Sequence, residues 1–208
     1  MINSFETWGS RLEGFDLSTL ENAPDSIFGL TKDLRLAYFN PAWFHFAAMN
    51  NGEPAISDRF GLGTPIAEAL VEPAREFYLF VYQHLIESGA TWSHDYECSS
   101  AEVFRLYHQT IYPLHSGDGL LVVNSLVRQS LHDPAVRPCR EAKEETYTGE
   151  SGRIVQCTHC RRTKRLDSTD AWDWVPDWVK RVPEHVSHSL CPVCRDYYYK
   201  HHETLRQL

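Results

Sequence analysis

Four cysteines near the C-terminal end carry the strongest chemical signal in the chain. They read CTHC at 157–160 and CPVC at 191–194, with thirty residues between the pairs. Each Cys-x-x-Cys pair presents two soft sulfurs from one tight turn, and two pairs supply the four-sulfur tetrahedron that Zn²⁺ prefers. Cys157, Cys160, Cys191 and Cys194 are therefore the candidate ligands of a structural zinc ion. Two other chemistries suit the spacing: a redox-switched pair of disulfides, and an iron or iron–sulfur site. No thioredoxin-like βαβ pattern surrounds either pair, and neither is followed by the His that c-type haem attachment needs. His159, His185 and His188 stand close enough in sequence to replace or support a thiolate.

Four thiolates around Zn²⁺ leave a net charge of about minus two. The run Arg161, Arg162, Lys164, Arg165 follows the first pair and Arg195 follows the second, where they can offset that charge and lower the thiol pKa values. Binding at such a site is worth about 10–16 kcal/mol in finger peptides, so the segment is expected to unfold without metal. The intervening stretch is longer than the usual fifteen to twenty or so residues. It carries Trp172, Trp174, Val175, Trp178, Val179 and Val182, enough apolar surface for a small helix beside the metal.

The order CTHCRR, then Trp172, then VSHSLCPVC with Tyr197, Tyr198 and Tyr199 resembles a cysteine-rich tail found on bacterial signalling proteins. Ser187, His188, Cys191, Pro192 and Cys194 match its Ser-His-x-x-Cys-Pro-x-Cys element position by position. Such tails commonly follow sensory or receiver domains. The match implies no biochemical role by itself.

These ligands must be held by the rest of the chain, which is 208 residues long and 42% hydrophobic, ordinary for a globular protein. No run approaches a membrane span and no signal-peptide pattern opens the sequence, so a cytoplasmic protein is expected, where reducing conditions keep thiols available for metal. Charge is uneven. Residues 1–150 carry 10 Lys and Arg against 21 Asp and Glu, a net of −11; residues 151–208 carry 10 against 7, a net of +3. The shift falls at a polar stretch rich in Glu, Pro and Thr. The expected division is an N-terminal helix at 1–20, a main domain at 21–131, a linker at 132–152 and a four-cysteine zinc unit at 153–208.

Asn3 or Ser4 can cap a first helix bearing Phe5, Trp8, Leu12 and Phe15 at helical spacing, read as packing on the main domain. SIFGLT and LRLAYFN form a hairpin about Lys32-Asp33. Pro41 opens a short helix, PAWFHFAAMN, stopped by Asn50-Asn51-Gly52. A loop with Gly61 and Gly63 leads to a second helical piece, TPIAEALV. Pro73 opens the longest helix, to about Ser88, with Gly89 as C-cap and Tyr78, Val81, Tyr82, Leu85 and Ile86 as its buried stripe. Three strands follow: TWSHDYECS, EVFRLYHQTIYPL and GLLVVNSLVRQ, the last apolar enough to be central and covered on both faces.

This order resembles a PAS domain over about residues 20–130, with Asn40-Pro41 ending the second strand and PLHSGDGLLVV as the closing hairpin. The resemblance implies an α+β fold: a five-stranded antiparallel sheet of order 2-1-5-4-3, with helices across one face enclosing a sensory pocket. It also implies frequent dimerisation. No cysteine precedes Cys98, so the flavin-adduct chemistry of some PAS domains is not expected. Haem-binding members use a His on the long helix; His84 is there, at the edge of the apolar stripe beside Phe77 and Phe80. Trp92, His94, Tyr96 and Cys98 share one strand face, lining the cavity if it looks inward and forming a partner patch if it looks out. Cys98 reads as a small buried apolar residue, and Cys139 as an exposed thiol in the linker.

No nucleophile elbow, phosphate-binding loop or zincin motif is present, so no enzymatic activity is expected. The leading reading is a sensory signal-transduction protein, a homodimer whose PAS-type module answers a small-molecule or redox cue and acts on an unidentified signalling partner through the zinc unit. The alternative is a zinc-dependent, nucleic-acid-binding transcriptional regulator, with Arg161, Arg162, Lys164 and Arg165 on phosphates. The acidic main domain and the charge of the zinc thiolates weigh against it.

Overall fold

The computed structural model describes Leu12 and residues 14–205 apart from positions 51 and 169; at 116 and 199–205 it describes the backbone alone. The alternating segments form five strands: β1 (Ser26–Thr31), β2 (Leu36–Phe39), β3 (Trp92–Glu97), β4 (Val103–Pro113) and β5 (Gly119–Leu131). Their order in the sheet is β2-β1-β5-β4-β3, the order the PAS resemblance implies. The β1–β2 hairpin turns through Leu34, in the left-handed region at φ 55°, whose N–H donates to the Thr31 carbonyl at 2.9 Å. β1 then pairs antiparallel with β5 from Ser26↔Asn124 to Thr31↔Gly119. Gly119 has no substitute here: its φ is +153°, and a Cβ would collide with the Leu30 carbonyl oxygen.

The two-residue period sorts this sheet into two faces. Ile27, Leu121 and Val123 pack with Leu12, Phe15, Leu17 and Leu20 on one of them. On the other, Phe46 meets Tyr107 edge-on at 5.8 Å. Leu120, Leu121 and Val122 are completely buried, as expected of a strand covered on both sides. Beyond Asn124 that cover ends, with Leu126 48% and Val127 58% exposed.

Most of the helix expected over 1–20, with Phe5 and Trp8, lies outside the described residues. What is described is a six-residue helix, α1 (Leu17–Asn22), whose N-cap Asp16 accepts from the N–H groups of Ser18 and Thr19, both at 3.2 Å. α2 (Pro41–Met49) begins at Asn40, a completely buried side chain with all its polar capacity used. Its Oδ1 accepts from Ile27 N (2.9 Å) and Trp43 N (3.1 Å), and its Nδ2 donates to the carbonyls of Leu20 (3.2 Å) and Asp25 (2.9 Å). One side chain thus joins α1, β1 and α2.

The loop after α2 contains a short helix the pattern did not announce, α3 (Ala55–Arg59). The second helical piece is reduced to one 3₁₀ turn, Ile66–Glu68. The reason is hydrogen bonding: Gly63 N donates to Leu36 O at 2.6 Å and Leu36 N to Thr64 O at 2.9 Å, tying the backbone before the turn to β2. α4 (Ala74–Ser88) matches its expected span. Tyr78, Val81, Tyr82, Leu85 and Ile86 are all buried, and Gly89 closes it at φ +69° with its N–H on Leu85 O.

After β5 come α5 (Glu144–Tyr147), β6 (Ile154–Cys157), β7 (Thr163–Lys164), β8 (Trp172–Asp173), α6 (Pro176–Lys180), β9 (Val186–Ser189) and α7 (Pro192–Leu205). The strands form a second sheet of order β8-β7-β6-β9. The chain divides into two compact units. One takes the chain to Leu70 with Tyr78–Asp95 and Tyr107–Leu126; the other takes Val71–Phe77, Tyr96–Leu106 and Val127–Leu208. Residues 132–152, read from composition as an extended connection, lie within the second unit. Tyr147 is buried there, and Arg140 N donates to Trp174 O at 2.8 Å.

Candidate metal centre

The cysteine pairs meet because the strands leading into them are neighbours. β6 and β9 run parallel in the register Ile154↔Val186, Val155↔Ser187, Gln156↔His188, Cys157↔Ser189. Parallel strands need a crossover, and the long stretch between the pairs, holding β7, β8 and α6, is that crossover. Both turns therefore leave the same end of the sheet, stapled where Thr158 N donates to Ser189 O at 2.9 Å. The first turn closes with Cys157 N on Arg162 O (2.7 Å) and Arg161 N on Cys157 O (3.1 Å), putting Arg161 at φ 62°. The second is the start of α7, where Pro192 fits the first helical position and Arg195 N reaches Cys191 O at 2.8 Å.

The four sulfurs lie within 4.8 Å of one another, and Cys160 Sγ stands 3.7 Å from Cys191 Sγ. A disulfide needs about 2.05 Å; these are free thiols. Sulfurs about 2.3 Å from a central ion occupy tetrahedron corners roughly 3.8 Å apart, so the spacing fits a tetrahedral thiophilic ion. Among the described residues no other group of three or more His, Cys, Asp or Glu converges in this way. Cys157, Cys160 and Cys191 are buried and Cys194 is half-buried. None of His159, His185 and His188 joins the cluster.

The electrostatics agree with the chemistry of the donor set. The thiols of Cys160, Cys191 and Cys194, together with the Cys191 N–H at 3.4 Å, converge on the Cys157 sulfur and hold its thiol far below the ordinary range. Hydrogen bonding to Cys157 pushes Cys160 and Cys194 far up. The Cys157 thiolate forms readily while Cys160 and Cys194 resist ionising beside it; a cation at the centre would remove that resistance. Burial pushes His159 down to about 4, so its ring is neutral near pH 7 and lies flat on Tyr198, centroids 3.6 Å apart.

The basic run is engaged differently from expectation. The Arg161 guanidinium donates to Val179 O at 3.1 Å, while Arg165 pairs with Asp167 and stands 3.9 Å from Asp173. The arginine that feels the thiols is Arg137. Burial works against its charge, but its bonds to Glu97, and after them Cys160 and Cys194, raise its pKa overall. Arg137 grips both Glu97 oxygens, at 2.6 and 2.8 Å, and its guanidinium lies over the rings of Trp174 (4.6 Å) and Phe104 (5.7 Å). His132 adds a ring contact to Trp174 at 4.6 Å. Phe77 meets Tyr198 edge-on at 5.0 Å, and Thr158 Oγ1 donates to Glu72 O at 3.3 Å. Sequence reasoning missed this clamp; its one visible signal was an apolar-flanked arginine in an otherwise polar stretch.

The strand face left open by sequence looks inward at Trp92 and His94, which are buried. Trp92 stacks on His94 at 4.5 Å, and Tyr78 Oη lies 3.4 Å from His94 Nε2. Nearby in the sheet, buried Gln109 donates to Asn124 Oδ1 at 2.9 Å and its own Oε1 receives no hydrogen bond. Cys98 is half-buried, and desolvation pushes its thiol up. His84 is half-buried with its ring stacked on Phe80 at 6.1 Å, and Cys139 is exposed.

No protein-family model matches this sequence, and neither does any curated protein. Solved structures do. The phage VqmA–DPO complex matches at 15% identity and TM-score 0.41 over 60% of this chain and 55% of its own. The PAS domain of the HTR-like protein from Haloarcula marismortui matches at 18% and 0.34, over 59% and 99%. The PAS domain of Bordetella pertussis BvgS matches at 17% and 0.40, over 64% and 90%. Strand order, the Asn40 hub and the long helix with its buried stripe make this a PAS-like fold, and its chain continues into a C-terminal cluster of four cysteines able to hold a metal ion.

Proposed function

We propose that this protein is a sensory signal-transduction protein: a PAS-type module that answers a small-molecule or redox cue, coupled to a structural zinc ion held by Cys157, Cys160, Cys191 and Cys194. The carrying observation is the tetrahedral spacing of four thiols in a unit that also contains Val71–Phe77 and Tyr96–Leu106, stretches of the PAS-like fold itself. α4, β3, β4 and β5 each contribute residues to both compact units. A cue that favours one arrangement of these shared elements would also favour one arrangement of the metal unit, which is all that two-state signalling requires. The buried Gln109 oxygen beside Asn124, and the Tyr78–His94–Trp92 group, favour a cue that carries an N–H or O–H donor and an aromatic or apolar body.

The regulator reading loses support from the basic run. Arg161 and Arg165 are spent on protein acceptors, leaving fewer cations for phosphates. Four sulfur ligands also close the coordination sphere, which suits a structural ion better than a catalytic one.

Native mass spectrometry of the purified chain tests both halves of the proposal. One zinc per chain, lost under denaturing conditions, is the expected result. A small molecule retained by wild-type protein and lost from Gln109→Leu supports a ligand site at Gln109. A chain that takes up no zinc from a stoichiometric supply overturns the metal half.

A further inference from the structure

The four ligands are unequal. Cys157 is completely buried, Cys160 is 5% and Cys191 2% exposed, whereas Cys194 is half-buried beside Val193, which is 69% exposed. Backbone N–H groups are directed at Cys157 Sγ, from Cys191 at 3.4 Å, and at Cys191 Sγ, from Cys194 at 3.5 Å. Among the described residues none is directed at Cys194 Sγ or Cys160 Sγ, and of these two Cys194 is the more exposed. An N–H bond draws charge from a metal-bound thiolate and blunts it as a nucleophile. Cys194 thus combines the best access with the least of this damping.

We infer that Cys194 is the oxidant-sensitive ligand of the cluster, with Cys191 as its resolving thiol, so that a peroxide converts the second cysteine pair to a disulfide and expels the metal. This rests on the zinc reading above. The Cys194 thiolate attacks one peroxide oxygen; an S–O bond forms, the O–O bond breaks and hydroxide leaves, so sulfur is oxidised and peroxide reduced by two electrons. The Cys191 thiolate then attacks the Cys194 sulfur, an S–S bond forms and the second oxygen departs as hydroxide. Both sulfurs belong to one helical turn, and the Cys194 N–H already touches Cys191 Sγ, so closure asks no strand to move. The ion loses two of its four ligands and leaves as a cation.

The test uses the full-length chain carrying Cys139→Ser, which removes an exposed thiol outside the cluster. Zinc content is measured first. Hydrogen peroxide is then added near stoichiometry, sulfenic acid is trapped, disulfides are mapped by mass spectrometry, and free zinc is followed with a chromogenic chelator. Trapped sulfenic acid should appear on Cys194 on the order of tenfold faster than on any other ligand. Without the trap, a Cys191–Cys194 disulfide should appear in step with free zinc. Protein that holds no zinc at the outset overturns the zinc reading itself. A zinc-loaded chain first oxidised at Cys157, Cys160 or Cys191, or bridged between the two cysteine pairs, overturns this inference and leaves the zinc reading standing.

Discussion

At the scale of single residues, two side chains hold far more than their neighbours. Asn40 satisfies two backbone donors and two backbone acceptors from a completely buried position. Asn40→Ala leaves those groups in a site closed to water, so a loss of about 2–4 kcal/mol in urea unfolding is expected; a loss under about 0.5 kcal/mol would show that water replaces the amide. Arg137 is the counterpart in the second unit, with 10% of its side chain exposed against 17% for Glu97. Arg137→Met strands a carboxylate and should cost about 3–5 kcal/mol, while the double variant with Glu97→Gln should recover a large part of that. Additive single effects in the cycle would contradict the pairing.

At the scale of elements, the crossover between the parallel strands depends on Tyr147. It is buried at the end of α5, donates to Asp173 Oδ2 of β8 at 2.9 Å and meets Trp178 edge-on at 5.2 Å. Burial first, and then the Asp173 bond, push its phenol up to about 12. The proton is therefore held more tightly in the folded chain than in the unfolded one, whose tyrosines ionise near 10. This contribution is whole below about pH 10 and is lost as pH rises toward 12. Tyr147→Phe should flatten the alkaline fall in stability over that window, compared with wild type by urea titration at fixed pH; identical slopes would remove Tyr147 from the account. Several elements were legible in advance because one local rule decides each. The two-residue period marked β1 to β5, the Pro73 and Gly89 punctuation framed α4, and the Cys-x-x-Cys spacing named the cluster. What could not be read depends on partners far along the chain. The parallel register of β6 and β9 rests on pairs such as Cys157↔Ser189, and Arg137 finds Glu97 forty positions away. The tie between β2 and Gly63–Thr64 limited an expected helix to one turn. α3 is only five residues long, too short for a periodic signal to emerge.

At the scale of the whole molecule, the two units differ in what stabilises them. The first has a continuous apolar core in Leu30, Val81, Leu85, Ile111, Leu120, Leu121 and Val122, all at or near complete burial. The second has short strands of two to four residues in its own sheet, and its buried centre includes three of the cysteines. Short strands bury little area, so under the zinc reading proposed above the metal supplies what packing does not. Chelation should therefore unfold the second unit well before the first. Three of the chain's six tryptophans, Trp172, Trp174 and Trp178, lie in the second unit, while Trp43 and Trp92 lie in the first. Variants keeping one set or the other, with the remainder changed to Phe, separate the two signals. In urea with excess chelator the Trp172, Trp174 and Trp178 signal should move to a lower midpoint, and the Trp43 and Trp92 signal should shift by much less, limited to what the shared strands transmit. If both signals fall together at an unchanged midpoint, the cluster contributes nothing to folding, and its four sulfurs must be explained by something other than a structural ion.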